Sequence, residues 1–128
     1  MKINYLSKYI LLFILFYNNN ILCEDAIFTN NLLDSIALSE SSNKEVLVIF
    51  TASWCKYCSI MKKDLENNKD ILDNKIICYI NFDENQDLVR TYNVKTIPDY
   101  FILKNKIETK RKVGYTNKVA FIKWIKNE

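Results

Sequence analysis

Histidine is absent from all 128 residues, and glycine and proline occur once each. The lack of histidine removes the commonest general base, the usual partner of a nucleophilic cysteine and the commonest zinc ligand, so chemistry must come from cysteine or carboxylates. The scarcity of glycine and proline, beside a hydrophobic share of 49%, excludes a disordered chain and a loop-rich disulfide scaffold. Charge of one sign is missing too. The formal balance of +3 falls to about +1 once Lys2 and Lys8 near the N-terminus are set aside, which leaves no electrostatic basis for binding nucleic acid. The length suits one domain with a single core.

The first segment differs from the rest. Lys2 and Lys8 precede the apolar block Tyr9 to Tyr17, and Asn18, Asn19 and Asn20 follow it. The block is too short to span a bilayer comfortably, and this layout is that of a secretory signal peptide, with cleavage expected near Cys23. Residues 1–23 are therefore read as a signal peptide and 24–128 as the exported domain. The alternative is an uncleaved anchor tethering the domain to a membrane, and a lipoprotein reading of Cys23 is weaker because Leu22 is not small. All of these place the domain outside the cytoplasm, in a periplasm or a secretory pathway, where disulfides persist.

Periodicity predicts an α/β alternation. Leu32, Leu33, Ile36 and Ala37 recur at helical spacing over residues 29–39, with Thr29 or Asn30 as cap. Val46 to Phe50 and Ile76 to Phe82 are continuous apolar runs expected of strands buried on both faces. Between them, residues 55–67 read as a helix with Cys58, Met61 and Leu65 inward and Lys62, Lys63, Asp64 and Glu66 mostly outward. Residues 85–92 suit a short helix burying Leu88 and Val89. After Pro98 come a strand at Tyr100–Leu103, a turn at Lys104-Asn105 and an antiparallel strand over Ile107–Val113. Gly114 breaks the chain, Thr116 or Asn117 caps, and Val119, Phe121, Ile122 and Ile125 form the inner side of a last helix. The expected fold class is α/β, a sheet with flanking helices.

The segment with chemical content is Trp54-Cys55-Lys56-Tyr57-Cys58. A thiol exchanges disulfides only as its thiolate, and free cysteine, with a pKa of about 8.5, is mostly protonated near neutrality. At a helix start, unpaired backbone N–H groups and the positive end of the dipole stabilise the anion, and a second sulfur one turn on can close a disulfide with the first. Cys55 is thus the candidate nucleophile and Cys58 the candidate resolving thiol. Lys56 adds a screened attraction for the thiolate. Trp54 is either packing at a strand end or a flat cover beside the thiol, and with Lys56 and Tyr57 it is a candidate substrate contact. Zinc would need further ligands, and beyond the pair residues 24–128 offer only Cys78, read as an inert core thiol. Thr96-Ile97-Pro98 holds the only proline, at a strand entrance; a cis peptide there would set the Ile97 backbone beside the sulfurs, free to bond an extended substrate.

The segments Ala52 to Cys58, Asn81-Phe82-Asp83, Tyr92 to Pro98, and Gly114 before the last helix resemble the thioredoxin family, over about Thr29 to Asn127. The resemblance implies a thioredoxin fold with a central mixed sheet flanked by helices, a redox-active Cys55–Cys58 disulfide and a cis Ile97–Pro98 peptide facing it. Protein disulfide or dithiol substrates and a redox partner protein are expected, and no cofactor, no metal and a monomeric state are the accompanying expectations. The spacing and leader look most like periplasmic reducing relatives, including soluble reducing domains of the DsbD type, that serve cell redox homeostasis.

This sequence departs from the family pattern at three places. Lys56-Tyr57 replaces Gly-Pro between the cysteines, which leaves the direction of electron flow open. Ile49 and Tyr79 stand where the family carries a buried acid and its lysine. Asp99 follows Pro98 and is expected either to select basic or polar partners or to be a solvated strand-edge acid. The functions in contention are a reductase for exported proteins, an oxidase or isomerase, and a non-catalytic binding module. The runs around Lys62 and at Lys110-Arg111-Lys112 are read as solvated faces.

Overall fold

The structure is a computed structural model and describes residues 26–128. The expected leader and Cys23 lie outside the described residues. In chain order the elements are β1 (Ile27–Thr29), α1 (Leu32–Ser42), β2 (Glu45–Thr51), α2 (Lys56–Glu66), a 3-10 turn (Lys69–Leu72), β3 (Lys75–Asn81), α3 (Gln86–Thr91), β4 (Asp99–Lys104), β5 (Ile107–Val113) and α4 (Lys118–Lys126). The strands form one sheet in the order β1-β3-β2-β4-β5. β3 runs parallel to both β1 and β2, whereas β4 is antiparallel to β2 and to β5, which lies at the sheet's edge.

The alternation of side chains along a strand divides the core in two. Val46, Val48 and Phe50 point to the face covered by α1 and α3, where Leu32, Val89, Val94 and Phe101 meet them. Leu47 and Ile49 point to the other face, against Met61 and Leu65 of α2, Tyr100 and Ile102 of β4, and Phe121 and Ile125 of α4. All five residues Val46 to Phe50 are buried, which is why β2 is apolar without alternation. Full burial of each such side chain contributes about 1.5–3 kcal/mol, and these strands fix where β2 ends and the cysteine segment begins.

With one glycine available, asparagine takes most of the left-handed turns. Asn43, Asn93, Asn105 and Asn127 all have positive φ, as does Lys106. Asparagine tolerates this region better than other side chains. Asn105-Lys106 makes the β4–β5 turn, one residue later than expected. Gly114, at φ 82°, supplies the remaining reversal after β5.

Two helices differ from expectation. Thr29 belongs to β1, and α1 is capped by Asn31, whose side chain accepts the Asp34 N–H at 3.1 Å. Its buried side is Leu32 and Ser35 with half-buried Ile36, while Leu33 and Ala37 face solvent. Ser35 can be buried because its hydroxyl is satisfied: Oγ donates to the Asn31 carbonyl at 2.7 Å and shares a hydrogen bond with the Thr29 hydroxyl. In α4, capped by Asn117, Phe121 and Ile125 are buried and Trp124 packs with them, whereas Val119 is 60% exposed.

Lys110, expected to be solvated, donates from Nζ to the carbonyls of Trp124 and Ile125 and to the Asn127 side chain, closing the C-terminal end of α4. Asp64, expected outward, accepts the Tyr115 hydroxyl and ties the segment after β5 to α2. Among the described residues no helix is long and apolar enough to cross a membrane.

Candidate active site

Where β2 ends, Ala52 accepts the Cys55 N–H at 3.1 Å, a tight turn that delivers Cys55 to the N-cap of α2. A cap residue uses its side chain to satisfy an orphan N–H of the first turn. Here the cap group is sulfur: Cys55 Sγ accepts the Cys58 N–H at 3.3 Å. Cys55 and Cys58 are joined in a disulfide with a Cα–Cα distance of 5.2 Å. Both are buried, at 7% and 3% exposure, in a cluster with Ala52, against which Phe82 and Ile97 pack. The opened pair would thus have a dry side facing Phe82, which opposes ionisation, and a helix N-terminus aimed at the first sulfur, which favours the thiolate.

The other expected site residues fall into three groups. Ile97 packs on the cysteine cluster, and Pro98 follows it across a cis peptide, anchored by the Gly114 N–H donating to its carbonyl at 2.7 Å. Lys56 and Tyr57 lie exposed on the first turn of α2, Tyr57 at 58%. Trp54 is 65% exposed, which rules out strand-end packing. Its indole N–H donates to Asp83 Oδ2 at 2.8 Å, a contact between residues 29 positions apart. Asp83 is itself held, since Asn81 Oδ1 accepts the N–H groups of Asp83 and Glu84 at 2.9 and 3.1 Å. Sequence reasoning assigns neither Asp83 nor Asn81 a role, although Asn81-Phe82-Asp83 stands out there; an Asx turn at a strand end is the available signal.

Below the pair, Ile49 and Tyr79 are cross-strand partners of β2 and β3. The Tyr79 ring stacks on Phe28 with Lys62 Nζ 5.0 Å from its centroid, and its buried hydroxyl makes no hydrogen bond. Burial, reinforced by the charge of Glu66, pushes its pKa up. It stays neutral, so this pair places no charge at that position in the core.

Asp99 is neither solvated nor a substrate-facing acid. It is 2% exposed, and both its oxygens accept from Arg111, Oδ1 from Nε at 2.8 Å and Oδ2 from Nη2 at 2.6 Å. The guanidinium lies 5.4 Å from the centroid of Phe101, its cross-strand neighbour. This buried ion pair holds β4 to β5 directly after Pro98. Cys78 lies in β3 as a free, fully buried thiol whose pKa burial raises, with opposing hydrogen bonds from Ser35 and Thr29. Among the described residues no three potential metal ligands cluster.

A family model described as thioredoxin matches residues 24–127. A thioredoxin of Rickettsia bellii is 33% identical over 87 residues, which is 67% of this chain and 83% of that protein. A thioredoxin of Mycoplasma genitalium is 28% identical over 87 residues, 68% of this chain and 85% of its own. Among solved structures, a thioredoxin from Thermus thermophilus superposes with a TM-score of 0.69 at 23% identity, covering 80% of this chain and 86% of that one. A mutant thioredoxin from Halobacterium salinarum NRC-1 gives 0.66 at 22%, covering 81% and 90%. At these identities the structures establish the five-stranded fold.

Proposed function

The chain belongs to the thioredoxin family of protein-disulfide oxidoreductases, and from that premise we propose that it acts outside the cytoplasm as a reductase of disulfides in exported proteins. The observation that carries the reading is the Cys55–Cys58 pair at the N-cap of α2, with Cys55 Sγ already accepting a backbone N–H. In the reduced protein that N–H and the helix dipole stabilise a Cys55 thiolate. The thiolate attacks one sulfur of a substrate disulfide, forming a mixed disulfide and releasing the other as a thiolate that takes up a proton. Cys58, deprotonated by water or a nearby group, attacks Cys55 Sγ, closes the Cys55–Cys58 bond and releases the second substrate thiol. Two electrons pass to the substrate, and a partner dithiol returns them.

Trp54, Lys56, Tyr57, Ile97 and Pro98 receive the substrate in this reading. The exposed rings of Trp54 and Tyr57, with Ile60 at 41% exposure, give an apolar approach, and the Ile97 backbone offers a strand-like partner to an extended segment. The exported setting is supported by the leader pattern of residues 1–23. The reducing direction is supported by the resemblance to reducing relatives. Redox titration against glutathione is expected to give a potential near the roughly −270 mV of a reductase, and a value near the roughly −120 mV of a strong oxidant would reverse the direction. Cys58→Ser should accumulate mixed disulfides with exported proteins through Cys55; failure to trap any, with the protein correctly exported, rejects the exchange role.

A further inference from the structure

Resting on that reductase reading, we propose that the depression beside Thr96 is a subsite for an acidic side chain of the substrate, next to its reacting disulfide. The depression has a volume of about 200 Å³ and is lined by Asn93, Lys95, Thr96, Arg111 and Val113 over Asp99. That is below the roughly 300–1,000 Å³ typical of small-molecule pockets and fits one side chain. Its place is set by the chain: Thr96 immediately precedes Ile97, which packs on the cysteine cluster. A peptide extended along Ile97 advances about 3.4 Å per residue, and in the proposed pose the pocket takes a side chain close in sequence to the substrate cysteine.

Its charge is the reverse of what Asp99 alone suggests. Both Asp99 oxygens are occupied by Arg111, and its side chain is only 3% exposed. What a ligand meets is the exposed Lys95, the Thr96 hydroxyl and the Asn93 amide, with the Arg111 guanidinium behind them. Arg111 Nη1 has only a loose 3.8 Å approach to Glu108. The lining therefore offers donors and positive charge to a carboxylate, and it sets Lys95 against a lysine or arginine.

The test uses matched peptide disulfides that differ only in Glu, Ser or Lys near the cysteine, compared by kcat/KM within each protein variant. The full domain is expected to favour the Glu peptide over the Lys peptide by about three- to fivefold, in line with an exposed ion pair, and the ratio should fall toward one as salt is raised. Lys95→Glu should invert the ratio, whereas Lys126→Glu, an equal change of net charge at the end of α4, should leave it where it was. Equal rates for the Glu and Lys peptides, an unchanged ratio in Lys95→Glu, or an equal shift in Lys126→Glu each overturns the subsite. Hydroxyethyl disulfide, which carries no side chain for the pocket, separates the two proposals. If it is reduced while the ratio is flat, only the subsite falls; if neither it nor any peptide is reduced, the reductase reading falls and the subsite with it.

Discussion

Cys55 and Cys78 are both buried in apolar surroundings, at 7% and 0% exposure, yet one caps a helix and the other sits in the middle of a strand. Aspartate and tryptophan show the same division. Asp83 lies at the surface holding the exposed indole of Trp54, while Asp99 is sealed in the sheet by Arg111. Trp124 stacks on Phe121 at 6.2 Å and meets Tyr100 edge-on at 4.9 Å, with Lys110 Nζ 4.6 Å from its ring centroid. At the helix-opening end, polar groups are fixed by one or two bonds and face the surface. In the sheet, Asp99 is paired and dry. Burial alone does not distinguish a working sulfur from a packing one; an unpaired helix N–H beside it does.

The largest way to break this comparison is to exchange the sulfurs' fates. Cys55→Ser is expected to lower disulfide reduction by at least about a thousandfold, as loss of an obligatory nucleophile does, while Cys78→Ala stays within about twofold of wild type because that thiol never meets substrate. Turnover of a peptide disulfide measures both. A large loss in Cys78→Ala would place the buried thiol in the mechanism.

Next come the two aspartates. Arg111→Ala strands a buried carboxylate and should cost about 3–5 kcal/mol in urea unfolding. Asp99→Ala should cost less, since Arg111 has 26% of its side chain exposed and can reach water. If the two losses were equal, the ion pair would act by packing alone.

A smaller effect separates the two regions by pH. Burial holds Cys78 above its ordinary value of 9.0 and pushes Tyr100 up to about 12 from 10.0. Both groups are neutral in the folded sheet and ionise more easily once unfolded. The stability they contribute is complete below pH 9 and is lost as pH rises through the folded values. The urea midpoint should therefore decline above about pH 9, and Cys78→Ala should remove the earliest part of the decline. A wild-type midpoint flat from about pH 8 to 11 contradicts this.

The smallest expected effect is at Asp83. Asp83→Ala frees the Trp54 indole and should shift Trp54 emission and raise KM for a protein disulfide by about two- to threefold, with kcat unchanged, the scale of one exposed charge-assisted bond. Asp83→Asn keeps an acceptor and should restore most of both signals.

The parts of the molecule that are legible in the sequence are those whose causes lie within a few residues. The cysteine segment needs only a helix start and two sulfurs one turn apart, so its geometry follows from spacing. β5 is bounded correctly by Gly114 on one side and the turn on the other. β1 escapes the pattern, because so short a strand carries no period and owes its character to pairing with β3. The inner face of α1 departs from its periodicity because Ser35 is buried by hydrogen bonds, which a hydrophobic pattern does not record. Asp99 and Arg111 are invisible as a pair because they stand 12 residues apart on separate strands, the arginine inside a basic run that reads as solvated. Trp54 and Asp83 meet only through the fold.

The outer rim of β5 has a bearing on how these molecules tolerate crowding. Among the described residues no strand pairs with that rim, and an unclaimed strand edge is a template onto which an identical strand can add. Here the template carries Lys110, Arg111 and Lys112 in a row, so a twin laid against it antiparallel brings cation opposite cation. The row that closes α4 and neutralises Asp99 thereby also discourages fibre-like stacking.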